Sequence, residues 1–154
     1  MIQHKDMPII PASQVTSFCG GMGSKAFGFW RDRKYEQHTK GKGHFMAFLG
    51  LAVKKLVPPL PDPQDFVDKT WSAVERDKVR IYLRAGRAAE HYMGYSHCRF
   101  NCGVDDADMG DADLTDGTYV WPQGFVHYVE AHGVKPPEEF VRHVLRQWNE
   151  ALRT

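Results

Sequence analysis

Between positions 96 and 133 the chain carries two cysteines four positions apart, Cys98 and Cys102, and then two histidines five positions apart, His127 and His132. No other feature restricts the fold as much. Cys98-Arg99-Phe100-Asn101-Cys102-Gly103 places two thiols on a tight turn with a glycine just after the second. Asp116-Gly117 is a hairpin turn signal, and Thr118-Tyr119-Val120-Trp121 has strand character. Pro122 suits the opening of a short helix that carries both histidines and stops at Gly133. Cysteine turn, strand and helix in that order resemble a zinc-finger-like ββα unit.

The donor chemistry agrees with that order. Zinc takes four tetrahedral ligands, and thiolate and imidazole are its usual donors in structural sites. Cys98, Cys102, His127 and His132 are therefore the predicted ligands of a structural zinc. On a regular helix, residues five apart point about 140° away from each other. The two imidazoles converge only if the last turn tightens or unwinds near Gly133. His97 and Cys19 are the substitute ligands. The plain structural alternative is that the cysteines are small buried apolar residues and His127 a hydrogen-bonded core histidine. A catalytic zinc would need an open ligand position and an acid or base beside it, for which Asp116 and Glu130 are the nominal residues.

The three cysteines, Cys19, Cys98 and Cys102, make a poor disulfide framework and suit a reducing compartment. The N-terminus lacks the apolar core of a signal peptide, and the longest apolar stretch, residues 45–57, is broken by Lys54 and Lys55. The expectation is a cytoplasmic protein with no membrane segment. A length of 154 residues with 42% hydrophobic content suffices for one domain with a core of its own. A formal charge of +1 gives no global attraction to nucleic acid or membrane.

Within that single domain, residues 1–43 read as an irregular basic and aromatic segment, 44–95 as a helical part, and 96–154 as the Cys/His unit plus a last helix. Gly20-Gly21-Met22-Gly23-Ser24 and Gly41-Lys42-Gly43 read as loops. The first lacks the Gly-Lys-Ser/Thr ending of a phosphate loop. Phe45, Phe48, Leu49, Ala52, Val53 and Leu56 predict a helix over 44–56, stopped by the prolines from Pro58 to Pro63. Ser72-Ala73-Val74-Glu75 is a capping box. It opens a helix with Val74, Lys78, Ile81, Tyr82 and Ala85 on the inner face and Gly86 as the stop. Residues 88–96 form a strand in this reading. Pro137 with Glu138 and Glu139 starts the last helix, whose apolar face is Phe140, Val141, Val144, Leu145, Trp148 and Leu152.

Two charged segments allow sharper readings. Asp105, Asp106, Asp108, Asp111, Asp113 and Asp116 resemble a calcium loop, but Ala107 and Met109 would occupy ligand positions they cannot fill. A solvated loop is the better expectation. Segment 25–44 interleaves basic residues with Phe27, Phe29, Trp30 and Tyr35, a composition that can hold phosphates and stack bases. Arg31, Arg33 and Lys34 are its candidate nucleic-acid contacts. Trp121 before Pro122 reads as a large side chain packed under the histidine helix.

The run Thr115-Asp116-Gly117-Thr118-Tyr119-Val120-Trp121-Pro122-Gln123-Gly124, followed by His127-Tyr128-Val129 and His132, resembles a pattern in uncharacterised bacterial proteins. In those proteins a cysteine pair, usually more closely spaced, precedes the segment. The resemblance covers roughly residues 71–143. It implies a bacterial origin and brings no activity with it.

The sequence thus predicts a small, mainly helical α+β domain with a short β-hairpin and a zinc-finger-like ββα unit in its C-terminal third. The leading functional expectation is a zinc-stabilised binding or regulatory protein acting through a protein partner. A nucleic-acid-binding protein using segment 25–44 is the alternative, and a metal-dependent hydrolase the second alternative.

Overall fold

The structure is a computed structural model that describes residues 5–14, 24–31 and 60–153. It is an α+β fold built on a five-stranded sheet of order β1-β2-β5-β4-β3. The strands are β1 (Ile10–Pro11), β2 (Lys25–Ala26), β3 (Arg87–His91), β4 (Ala112–Thr115) and β5 (Tyr119–Pro122). Among the described residues four α-helices accompany them: α1 (Ala73–Arg84), α2 (Asp106–Met109), α3 (Phe125–His132) and α4 (Glu138–Ala151). All strand pairs are antiparallel except β2 and β5, which run parallel. Among the described residues, no helix is long and apolar enough to cross a membrane.

The predicted hairpin is β4–β5, and it is the centre of this sheet rather than an isolated feature. Two short N-terminal strands extend it on one side and β3 on the other. Strands of two residues show no alternation, so the N-terminal segment read as irregular. The predicted strand over 88–96 is shorter and starts one residue earlier, at Arg87. The helix expected over 44–56 lies outside the described residues.

Helix α1 begins as expected, with Ser72 Oγ accepting the Glu75 N–H. The box is not the reciprocal one, because the Glu75 carboxylate instead takes the Trp71 indole N–H at 3.1 Å. Its buried face is also turned by one position. Val79 and Leu83 are buried, whereas Val74 is 65% and Ile81 46% exposed. Both sets obey helical spacing, and packing against α3 and α4 selects the one that includes Leu83. Gly86 follows because a Cβ there would lie 2.5 Å from the buried Trp121 ring.

Trp121, Phe125, Phe140 and Phe27 are fully or almost fully buried and meet edge-on, stacked or tilted, with ring centroids 4.5–6.1 Å apart where Phe27 touches the other three. Each such side chain contributes roughly 1.5–3 kcal/mol when removed from water. The Trp121 N–H is satisfied by the Leu83 carbonyl at 3.3 Å. Helix α4 buries Phe140, Val141 and Val144, while Leu152 at its end is 75% exposed. Asp6 Oδ1 accepts the Glu138 N–H at 2.9 Å, so the start of the chain caps the last helix.

The acidic stretch is a solvated surface only in part: Asp105, Asp106 and Asp108 are exposed, whereas Asp113 and Asp116 are drawn into the fold. Asp105 caps α2 through the Ala107 N–H, and Asp113 is 3% exposed, accepting the Tyr92 hydroxyl at 2.5 Å. Asp116 joins three elements. Its Oδ1 takes the Thr118 and Tyr119 N–H groups of the hairpin turn, and its Oδ2 takes Tyr82 Oη from α1 at 2.8 Å and pairs with His143 Nε2 from α4 at 3.0 Å. Burial and the Asp116 carboxylate push the Tyr82 phenol above its usual range.

Two outcomes follow. Leu83→Ala lowers unfolding free energy by about 2–5 kcal/mol while Ile81→Ala stays within about 0.5 kcal/mol, as read by urea denaturation; equal effects would contradict the assigned face. Asp116→Ala costs about 3 kcal/mol, because it strands several donors at once.

Candidate metal centre

Helix α3 presents the two histidines. Phe125, Tyr128 and Val129 face the core, which leaves His127 and His132 half-buried on its flanks. The helix begins after Gly124 rather than at Pro122, which is the last residue of β5. It ends at Gly133, whose φ of 66° is left-handed, and the Val134 N–H reaches back to the Tyr128 carbonyl at 3.0 Å. Residues 66–68 fix that end, with Asp68 N–H on the Gly133 carbonyl and Lys135 N–H on that of Phe66, both at 2.9 Å. His132 is therefore the last helical residue and is held firmly. The separation of about 140° along the helix is closed by the side chains, whose Nε2 atoms approach to 3.2 Å with the rings at 78°.

The cysteine turn is held against this helix. The Asn101 N–H closes on the Cys98 carbonyl at 3.2 Å, and Asn101 itself takes a positive φ of 52°. An asparagine tolerates that conformation better than most residues. Tyr128, one position after His127, receives the Arg99 N–H on its hydroxyl at 2.9 Å and donates to the His97 carbonyl at 3.4 Å. Phe100 stacks on the His132 ring at 4.0 Å and 7°. One tyrosine and one phenylalanine thus set the turn over the helix end.

The four predicted ligands come together. Cys98 Sγ lies 3.3 Å from His132 Nε2, and Cys102 Sγ lies 3.3 Å from His127 Nε2. All four ligand atoms lie within 4.8 Å of one another, close enough to bind a metal ion. Cys98 is buried and Cys102 exposed. Burial pushes the Cys98 thiol up, and it also holds both imidazoles below their ordinary value. A neutral imidazole is the form that ligates metal.

The other candidates go elsewhere. His97 does not belong to this group of four; its carbonyl takes the bonds from Tyr128 and from the Arg99 side chain. Cys19 lies outside the described residues. Asp116 bonds Tyr82 and His143, and Glu130 is held by Arg84 at 2.7 and 2.9 Å. In the basic segment Phe27 and Trp30 are core residues and Lys25 pairs with Glu139, while Arg31 is exposed. Arg33 and Lys34 lie outside the described residues. Tyr128 and Phe100 were not foreseen. The signal for Tyr128 was present, since an aromatic with a polar tip follows His127 on the inward side of the helix.

No family model matches the chain, and neither a curated protein nor a solved structure shows significant similarity to it.

Because burial lowers both imidazole pKa values, the unfolded chain binds more protons than the folded one just below the ordinary value of 6.5. Metal-free protein therefore keeps this contribution above that value and loses it as pH falls toward the lowered folded values. Urea midpoints of chelator-treated protein are expected to fall as pH drops below about 6.5, and to fall less in His127→Ala. A flat profile would contradict the burial of these rings.

Proposed function

We propose that Cys98, Cys102, His127 and His132 hold one structural zinc ion, and that the protein works by binding a protein partner rather than by catalysis. The observation that carries the metal is the spacing of the four donor atoms. With ordinary zinc–nitrogen and zinc–sulfur lengths, a tetrahedral site needs about 3.3 Å between nitrogens and about 3.6 Å between nitrogen and sulfur. The contacts of 3.2 Å for the nitrogen pair and 3.3 Å for each nitrogen–sulfur pair agree with those edges within a few tenths of an ångström. Two thiolates with two imidazoles suit zinc better than calcium or magnesium, which prefer oxygen.

The binding role is supported by the completeness of the donor set and by the surface. Four protein ligands fill a tetrahedral ion, leaving no position for a substrate or an activated water. Glu130 is tied to Arg84, and Asp116 serves the Tyr82–His143 cluster. Val74 and Ile81 on the outer face of α1, and Tyr92, Met93 and Tyr95 after β3, offer exposed apolar surface to a partner. The nucleic-acid reading draws less support, because Phe27 and Trp30, two aromatics of the basic segment, are committed to the core. With the cysteines ahead of β4 and both histidines on α3, the zinc-finger-like description is a proposal about local order alone.

Elemental analysis of protein purified without chelator is expected to give about one zinc per chain, and a Cys98→Ser/Cys102→Ser variant to carry almost none. Chelation should lower the thermal midpoint. Protein that is folded and metal-free in a zinc-containing medium would overturn the proposal.

A further inference from the structure

From the unequal exposure of the two thiols we infer that this centre is a redox switch: a hydroperoxide oxidises Cys98 and Cys102 to a disulfide and thereby expels the metal. The inference rests on the zinc reading of the site and adds its regulation. Cys102 is exposed while Cys98 is buried, although both sulfurs belong to one cluster no wider than 4.8 Å. An open cavity of about 460 Å³ runs alongside the turn, bordered by His97, Cys98, Asn101, Cys102, Val104 and Asp106. A small peroxide can therefore approach the Cys102 sulfur from solvent. Cys98 is placed to act second, from the protein side.

The backbone favours the exchange of partners. Only three residues separate the cysteines, and the turn is already closed by the Asn101 N–H on the Cys98 carbonyl. A sulfur–sulfur bond across it needs no movement of α3. The histidines lie on the other element, so oxidation removes both sulfur donors at once and leaves the metal two imidazoles. Structural zinc sites use four donors, and two do not retain the ion.

The chemistry balances. The Cys102 thiolate attacks one oxygen of hydrogen peroxide; the O–O bond breaks, a sulfenic acid forms, and the departing hydroxide takes a proton to become water. The Cys98 thiolate then attacks the Cys102 sulfur; the S–S bond forms, the S–O bond breaks, and a second hydroxide takes a proton to become water. Two electrons pass from the thiolates to the peroxide, and the ion leaves as the divalent cation it was. A dithiol reductant reverses the change by thiol–disulfide exchange and restores the ligands.

The test uses the zinc-loaded full chain carrying Cys19→Ser, so that the third thiol cannot intervene. Hydrogen peroxide is added in small excess, released zinc is read with a chromophoric chelator, and the intact mass is taken under denaturing conditions. About one equivalent of zinc should appear in step with a loss of about two mass units, and dithiothreitol with added zinc should restore the starting protein. In Cys98→Ser, a sulfenic-acid trap should label Cys102. Zinc retained through peroxide treatment, or zinc lost only with sulfinic acid and no disulfide, overturns the switch and leaves the zinc reading intact. Purified protein that never carried metal overturns both.

Discussion

The meeting of the Cys98–Cys102 turn with the C-terminal end of α3 is the constraint on which the site depends. It joins two stretches of chain separated by a helix, two strands and a hairpin turn. It is fixed by more than the donor atoms. The Tyr128 hydroxyl bonds the backbone on both sides of Cys98, and Phe100 lies flat on His132. Residues 66–68 lock the far side of the same helix end. These contacts give the turn a defined position before any ion binds, so less conformational freedom remains to be lost on binding. They also explain how two histidines on opposing flanks of a helix can share one point in space: the backbone stays regular, and the side chains turn inward.

A second node lies away from that centre. Asp116, Tyr82 and His143 fasten the hairpin turn, α1 and α4 to one carboxylate, with Tyr119 and Glu139 beside them. Burial and Glu139 push the Tyr119 phenol up to about 12, so its donation to Glu139 persists into the alkaline range. The sheet and its helices are thus tied by polar groups at the hairpin end and by the cysteine turn at the other side of α3. Between the two ties lies an aromatic core in which Trp121 is the largest fully buried side chain. Apolar packing selects the inward faces of the helices, and these directional bonds fasten α1 and α4 to the hairpin turn.

Much of this was legible in the chain because the relevant signals are local or carried by residue type. Donor chemistry and turn residues were enough to name the four residues that meet. The capping serine, the Asp116-Gly117 turn, the stop at Gly133 and the Pro137 helix start depend on neighbouring positions and were readable for that reason. What was not legible depends on distant partners. Helix α1 permits two apolar faces, and only its packing against α3 and α4 selects Val79 and Leu83 over Val74 and Ile81. The acidic stretch looked like a surface loop because nothing near Asp113 or Asp116 in sequence announces Tyr92, Tyr82 or His143. The N-terminal strands are too short for periodicity, so their place in the sheet is decided by β5.

The cap that Asp6 supplies to α4 has a consequence for how the protein is made. Together with the parallel pairing of β2 and β5, it links the beginning of the chain to its last helix across almost the whole length. Loop-closing entropy delays contacts of such large sequence separation. During synthesis β2 must therefore wait for β5, and Asp6 for the start of α4, to leave the ribosome. Docking of Asp6 and of β2 onto these later elements is therefore a late step of folding.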